Sequence, residues 1–365
     1  PIKSSAASDV YKRQIIAYLS NENNRVGNKY SKCYRVLLIL ILSYIVGFGG
    51  VVATDHEEYA NMYKFHDYNL SFDSIWDRNR EIGYVLLNDL GHLFGLGEAG
   101  FFCLVALITN SLLVRFVYKF KSPAFSILLV FSIGTFLQQG NLVRQSLAAV
   151  VIMNSVLYLK DKRWKCYIVG VLIAASFHMS ALMFLLYLPI IFINGNKGIR
   201  NLKWVLISGW LISLLVLFNV INVDILQILS SYDYYSMYSS NQNSMALELS
   251  ILPIAIFNLF AIFNLQYCLK ENYVMAAILV SAAIITNTTV QAPNMVRVFL
   301  YFDCIGYIYM IDYFSRIRNG RIGILKQILY YALVAMCVVR LCVNYVFSDD
   351  VLLMSKTYSW SKFFQ

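Results

Sequence analysis

The sequence predicts an all-α protein, a polytopic transmembrane helical bundle of roughly nine to twelve membrane segments, interfacial or re-entrant helices included. Three observations predict it. The 365-residue chain is 59% hydrophobic and only 14% charged, where soluble domains carry about a quarter charged residues. Its mean hydropathy is +0.60. Its apolar residues are gathered into runs close to the ~20 residues that a helix needs to cross a hydrocarbon core of about 30 Å.

Taken in order, residues 1–14 read as a non-native leader, because the chain opens on Pro1 and Ser4–Gln14 carries no helical or signal-peptide pattern. Ile15–Leu19 reads as the stub of a truncated first helix, and a basic cytoplasmic loop completes residues 15–35. Residues 36–347 form a single polytopic membrane domain, followed by a tail at 348–365. Its candidate spans are Val36–Ala53, Phe101–Val117, Ala124–Leu137, Leu142–Leu159, Cys166–Ile193, Lys203–Val220, Met245–Leu269, Val274–Thr289, Val296–Phe314 and Ile324–Phe347. Ile82–Gly97 is apolar but interrupted by Asn88, Asp89 and His92, so it is expected to lie at the interface or re-enter. No internal repeat or Pro-rich linker divides the chain.

The net charge of +10 would suggest nucleic acid in a soluble protein. Here the basic residues occupy short connections, which is the positive-inside pattern, so membrane lipid is the expected surrounding and no nucleic-acid partner is expected. The seven cysteines contain no CxxC pair, so neither disulfides nor a zinc site is indicated. His56-Glu57-Glu58 opens like a zinc-protease helix, but position 60 is Ala and the second His is missing. A metal site built from His56, His66 and Asp67 has nothing to fix its geometry, and no P-loop or GxGxxG motif is present. No metal and no cofactor is expected.

Placing the basic loops Lys29–Arg35, Arg115–Lys121, Lys160–Lys165, Lys197–Lys203, Lys270 and Arg316–Lys326 in the cytoplasm makes the alternating connections external. The larger external loops are 54–80 and 222–244. Basic loops flank Cys166–Ile193 on both sides, so this run is expected to turn near His178 as a tight out-and-back pair. Each arm would be about 21 Å long as α-helix, shorter than the bilayer. The alternative is one long tilted helix with a flipped C-terminal half. With the hairpin, Asp55, Tyr59, Glu81, Arg144, His178 and Arg297 all reach the external side.

Arg144 opens the apolar helix Asn141-Leu142-Val143-Arg144-Gln145-Ser146-Leu147-Ala148. A guanidinium left at mid-bilayer costs roughly 2.5–3.5 kcal/mol, so it normally meets a partner, a cavity or an anion. Snorkelling to the nearby interface is the alternative. His178, within Ala174-Ala175-Ser176-Phe177-His178-Met179, is a functional candidate by the same reasoning, with helix packing through Ser180 or a carbonyl as its alternative.

The order of short motifs resembles the EpsG family of bacterial exopolysaccharide proteins, within the broad class of Wzy-like exopolysaccharide and O-antigen polymerases. The elements are Asp55-His56-Glu57-Glu58-Tyr59, Glu81-Ile82-Gly83-Tyr84, Arg144-Gln145, Phe177-His178-Met179-Ser180, and Arg297 before Tyr301-Phe302. The family usually has an Arg just before the Asp of the first element, and here Val51-Val52-Ala53-Thr54 stands there.

The resemblance implies a multi-pass glycosyltransferase of the bacterial cytoplasmic membrane. It would move a glycan from a polyprenyl pyrophosphate carrier onto a lipid-linked repeat unit at the outer face. A chain-length-regulating co-polymerase is an implied partner. A flippase or transporter, and another lipid-linked glycosyltransferase or ligase-like enzyme, are the competing readings.

Departure of a pyrophosphate calls for fixed positive charge, and Arg binds phosphate oxygens bidentately, so Arg144 is the first choice and Arg297 the second. The acceptor hydroxyl must lose a proton, which suits His178 as general base. Glu81 is placed with these two as catalytic, where it orients sugar hydroxyls, shares the base role or pairs with an Arg. Gln145, Asp55, Tyr59, Tyr84 and Ser180 are placed with Arg297 in substrate binding. Tyr59, Tyr84 and Trp76 suit stacking on sugar rings, and an interfacial aromatic belt explains them equally well. The Tyr-rich stretch Tyr232–Tyr238 would lie outside as a lid.

Overall fold

The computed structural model describes residues 25–48, 55–65, 81–132, 139–221, 245–289, 295–317 and 324–345. The leader at 1–14, Trp76, His66, Asp67, the loop at 222–244 and the tail at 348–365 fall outside the described residues. In chain order the helices are α1 (Arg25–Phe48), α2 (His56–Lys64), α3 (Ile82–Leu93), α4 (Glu98–Val117), α5 (Pro123–Ser132), α6 (Val143–Lys160) and α7 (Trp164–Phe177). A 3-10 helix, Met179–Phe192, follows, then α8 (Gly195–Leu217), α9 (Met245–Thr288), α10 (Met295–Ile317) and α11 (Ile324–Tyr345). The described fold is all-helical, as the apolar runs require, since in lipid a helix satisfies its own backbone.

By length and composition, three described helices can cross a membrane: Glu98–Val117, Gly195–Leu217 and Ile254–Thr288. That is fewer than the nine to twelve segments expected from the apolar runs. Several other runs fold as apolar helices of 10–17 residues, among them Pro123–Ser132, Trp164–Phe177 and Met179–Phe192.

α9 is not one rod. Asn272 leaves the helical region (φ −157°, ψ 92°), and its Oδ1 accepts the Met275 N–H at 3.3 Å, capping the helix that restarts there. Asn258 donates to Asn287 Oδ1 at 2.6 Å. In an unbroken helix these two residues would stand about 43 Å apart, so the chain reverses at Asn272 into two antiparallel arms. This is the Lys270 connection that the charge pattern calls for.

The Cys166–Ile193 run likewise breaks at His178, whose backbone is extended (φ −158°, ψ 116°). The Tyr167 hydroxyl donates to the Phe184 carbonyl, tying the two arms together. The second arm is a 14-residue 3-10 helix. At ~2.0 Å per residue it spans about 28 Å rather than about 21 Å, which relieves much of the length mismatch of the hairpin.

Lipid is as apolar as leucine, so close packing and polar bonds hold the helices together. Gly170 of α7 lies against Ser155 of α6, where a Cβ would run into the serine side chain. Deeper in the bundle Asn258 accepts from Trp210 Nε1, and Asn287 donates to Ser213 Oγ at 2.8 Å, so α8 and both arms of α9 share one network. Asn287 is fully buried. Asn287→Ala is expected to destabilise the detergent-solubilised protein by about 1–2 kcal/mol, read as a lowered Tm, because Asn258 and Ser213 lose partners together.

The helix order sorts the charges. α1 runs antiparallel to α4: Gly47 abuts Cys103, and Arg35 stacks over the Tyr118 ring at 4.0 Å. At that same end of the bundle the Lys121 N–H donates to Asp312 at 2.9 Å, and Arg316 pairs with both Asp312 and Glu271. The opposite end holds the starts of α2, α3, α6 and α10 and the turn at His178.

Candidate functional site

Glu81 is the centre of that end. It precedes α3 in an extended conformation (φ −63°, ψ 117°). One carboxylate oxygen pairs with Arg144 Nη1 in the first turn of α6, and the other lies 3.0 Å from His178 Nδ1 at the end of α7. A carboxylate only accepts, so Nδ1 carries the proton and Nε2 is left as the basic nitrogen of the neutral ring. Burial alone would raise the Glu81 carboxyl; the hydrogen bond from His178 and the charge of Arg144 outweigh it and hold the group below its ordinary value.

The Glu-x-Gly-Tyr motif has a packing reason. A Cβ on Gly83 would collide with Ser176 Oγ and stand 3.0 Å from the Phe177 ring. Glycine lets the first turn of α3 close on the end of α7 without moving either side chain, which brings Glu81 to His178. Gly83→Ala is expected to push the first turn of α3 off the end of α7 and to destabilise the detergent-solubilised protein by about 1–3 kcal/mol, read as a lowered Tm. Adding Ser176→Ala removes the nearest colliding atom and is expected to restore part of the lost stability, read as a recovered Tm.

Tyr84, buried in the same motif, and Tyr59 of α2 flank the Arg144 guanidinium, whose carbon lies 5.8 Å and 5.4 Å from their ring centroids. The two rings meet edge to face at 5.8 Å. A guanidinium between aromatic faces keeps its charge with little water around it. Arg144 Nε is buried and makes no hydrogen bond.

A second ion pair stands nearby. Arg297 Nη2, in the first turn of α10, is 4.0 Å from Asp55 Oδ2. This pair is the more open one: the side chains of Arg297 and Asp55 are 45% and 30% exposed, against 19% and 13% for Arg144 and Glu81. The Asp55 N–H donates to Asn141 Oδ1 at 3.1 Å, and buried Gln145 donates its side-chain amide to the Arg297 carbonyl. The short segment 141–145 thus holds three others by three side chains: Asn141 the start of α2, Arg144 the start of α3, and Gln145 the start of α10.

All nine residues singled out from the sequence gather here or directly beneath. Gln145 and Ser180, grouped with substrate binding in the sequence, are engaged within the protein. Ser180 Oγ is 3.0 Å from the hydroxyl of Tyr301, which is fully buried. Asn141 was not among the candidates, although it opens the quoted Arg144 segment. His56 is buried against Phe102, ring centroids 4.3 Å apart, and burial pushes its imidazole below the ordinary value against the opposing charge of Glu98.

Compared with known families, the chain matches the EpsG family over residues 32–359, nearly its whole length. No curated protein and no solved structure matches it.

Proposed function

The chain belongs to the EpsG family, whose members are polysaccharide polymerases of the Wzy type in general, and from that premise we propose a specific reaction for it. The protein transfers a glycan from a polyprenyl pyrophosphate carrier onto the end of a second carrier-linked repeat unit, at the outer face of the bacterial cytoplasmic membrane. The observation that carries this reading is the double use of Glu81, which bonds an arginine and a histidine brought from separate helices.

His178 Nε2 takes the proton of an acceptor hydroxyl as its oxygen attacks the anomeric carbon of the donor. The bond from that carbon to the carrier pyrophosphate breaks, and the electron pair leaves with the pyrophosphate. Glu81 holds the imidazole in the required tautomer and stabilises the imidazolium that forms. An arginine at this end supplies the fixed positive charge that the departing anion needs. Two carboxylates balance the two guanidinium groups before substrate arrives, so the site does not hold an uncompensated charge at membrane depth.

The test uses purified protein in liposomes with a lipid-linked repeat unit. A ladder of lengthened chains is expected. Carrier movement across the bilayer without lengthening would sink the polymerase reading in favour of a flippase. For the topology, single cysteines at Glu57 and Lys162 in a cysteine-free background are expected to differ: Glu57 labels from outside with an impermeant thiol reagent and Lys162 does not. The reverse pattern would invert the proposed orientation.

A further inference from the structure

The two arginines stand in different surroundings, Arg144 with a side chain 19% exposed and Arg297 with one 45% exposed. We infer that Arg297 is the residue that contacts the pyrophosphate of the carrier, whereas Arg144 is a positioning residue that acts through Glu81 on His178. This assignment rests on the polymerase reading above.

Arg144 is enclosed. Its Nη1 is engaged by Glu81, its guanidinium is flanked by Tyr59 and Tyr84, its Nε is buried, and its side chain is 19% exposed. Glu81 and Tyr59 already engage its donors, so a phosphate reaching it competes with Glu81, the group that orients His178. Binding the donor through Arg144 would therefore disturb the arrangement that proton removal requires.

Arg297 is placed the other way. Its side chain is 45% exposed, and its contact with Asp55 is 4.0 Å, long for a charge-assisted hydrogen bond. An incoming phosphate oxygen can reach this exposed guanidinium without displacing Glu81 from His178. The neighbouring residues Arg144 and Gln145 make this division possible. Arg144 turns its side chain to Glu81, while Gln145 tethers the Arg297 carbonyl and so fixes where the first turn of α10 stands. The distance between the base and the anion-binding group is then set by one turn of α6.

The experiment measures binding of inorganic pyrophosphate and of a short polyprenyl pyrophosphate to the purified full-length protein by calorimetry, together with the kinetics of chain extension. Arg297→Ala is expected to weaken pyrophosphate binding roughly ten- to hundredfold, the loss of a charge-assisted contact, and to raise KM for the donor. Arg144→Ala is expected to bind pyrophosphate within about twofold of wild type while kcat falls, and Arg144→Lys, which keeps the ion pair with Glu81, is expected to recover part of kcat.

Should Arg144→Ala fail to fold, Arg144→Lys carries the comparison, with a binding constant unchanged within about twofold expected. Loss of pyrophosphate binding in the Arg144 variants equal to that in Arg297→Ala overturns the assignment, as does a wild-type protein that extends chains yet binds neither probe. Absence of chain extension by wild type is a separate outcome, and it overturns the polymerase reading itself.

Discussion

Replacing His178 with alanine is expected to abolish long polymer, lowering chain extension by roughly 10²- to 10⁴-fold, the range of general-base contributions. The protein should remain folded and inserted. His178 sits where the backbone turns between α7 and the 3-10 helix, and its side chain is 30% exposed rather than wedged in the core. Its backbone N–H still donates to the Ala174 carbonyl at 3.0 Å whatever the side chain, so the turn keeps its closing bond. Single repeat units on the carrier should accumulate, which carrier-lipid chromatography reads directly. An unaltered chain-length distribution in His178→Ala would remove histidine from the mechanism.

Removing Glu81 is expected to act on activity and stability together. Glu81→Ala leaves Arg144 largely buried without its carboxylate, a change on the order of 3 kcal/mol for a buried pair, and frees the His178 ring to rotate. Chain extension should fall by about 10² or more. Glu81→Gln separates the effects: its amide oxygen can still accept from His178 Nδ1, but its NH₂ would face the Arg144 donors. It is expected to fall between wild type and alanine in rate.

The pH dependence has a definite sign. The folded Glu81 carboxyl lies below its ordinary value, so its stabilisation is fully present above the unfolded carboxylate range near 4.3 and is lost as pH falls through the lower folded value. Thermal melts should therefore show wild type losing more stability than Glu81→Gln on acidification from about pH 5 downwards. Parallel losses in the two proteins would mean that the ion pair contributes nothing to folding.

Much of the site was legible because each charged residue is conspicuous against an apolar background. Arg144, His178 and Arg297 stand out in or beside apolar runs, and the positive-inside pattern alone brings them to one side with Asp55 and Glu81. The pairing within that group was not legible. Glu81 had three open roles in the sequence, and only the geometry gives it Arg144 on one oxygen and His178 on the other.

Gln145 and Ser180 entered the sequence reading as substrate ligands through the Arg-Gln and His-x-Ser motifs of the family resemblance. Within the protein they bond to Arg297 and Tyr301. Asn141 gave little signal, since a polar residue before a helix reads first as a loop, and its hold on the Asp55 N–H crosses 86 residues of chain. The reversal at Asn272 was expected from a single basic residue, whereas the 3-10 winding after His178 was not, because no periodicity in Met179–Phe192 distinguishes it from α-helix.

By itself the sequence determined that this chain is helical, that it belongs in lipid, and which helix ends share a side. Hydrocarbon leaves the backbone no partner outside its own helix, and charge at helix ends follows the membrane faces. Tertiary structure alone decided which side chains meet. In lipid no hydrophobic force selects one helix neighbour over another, so contacts such as Gly83 on Ser176 and Gln145 on Arg297 set the register. That register places one glutamate between an arginine and a histidine and leaves the second arginine open at the surface of the site.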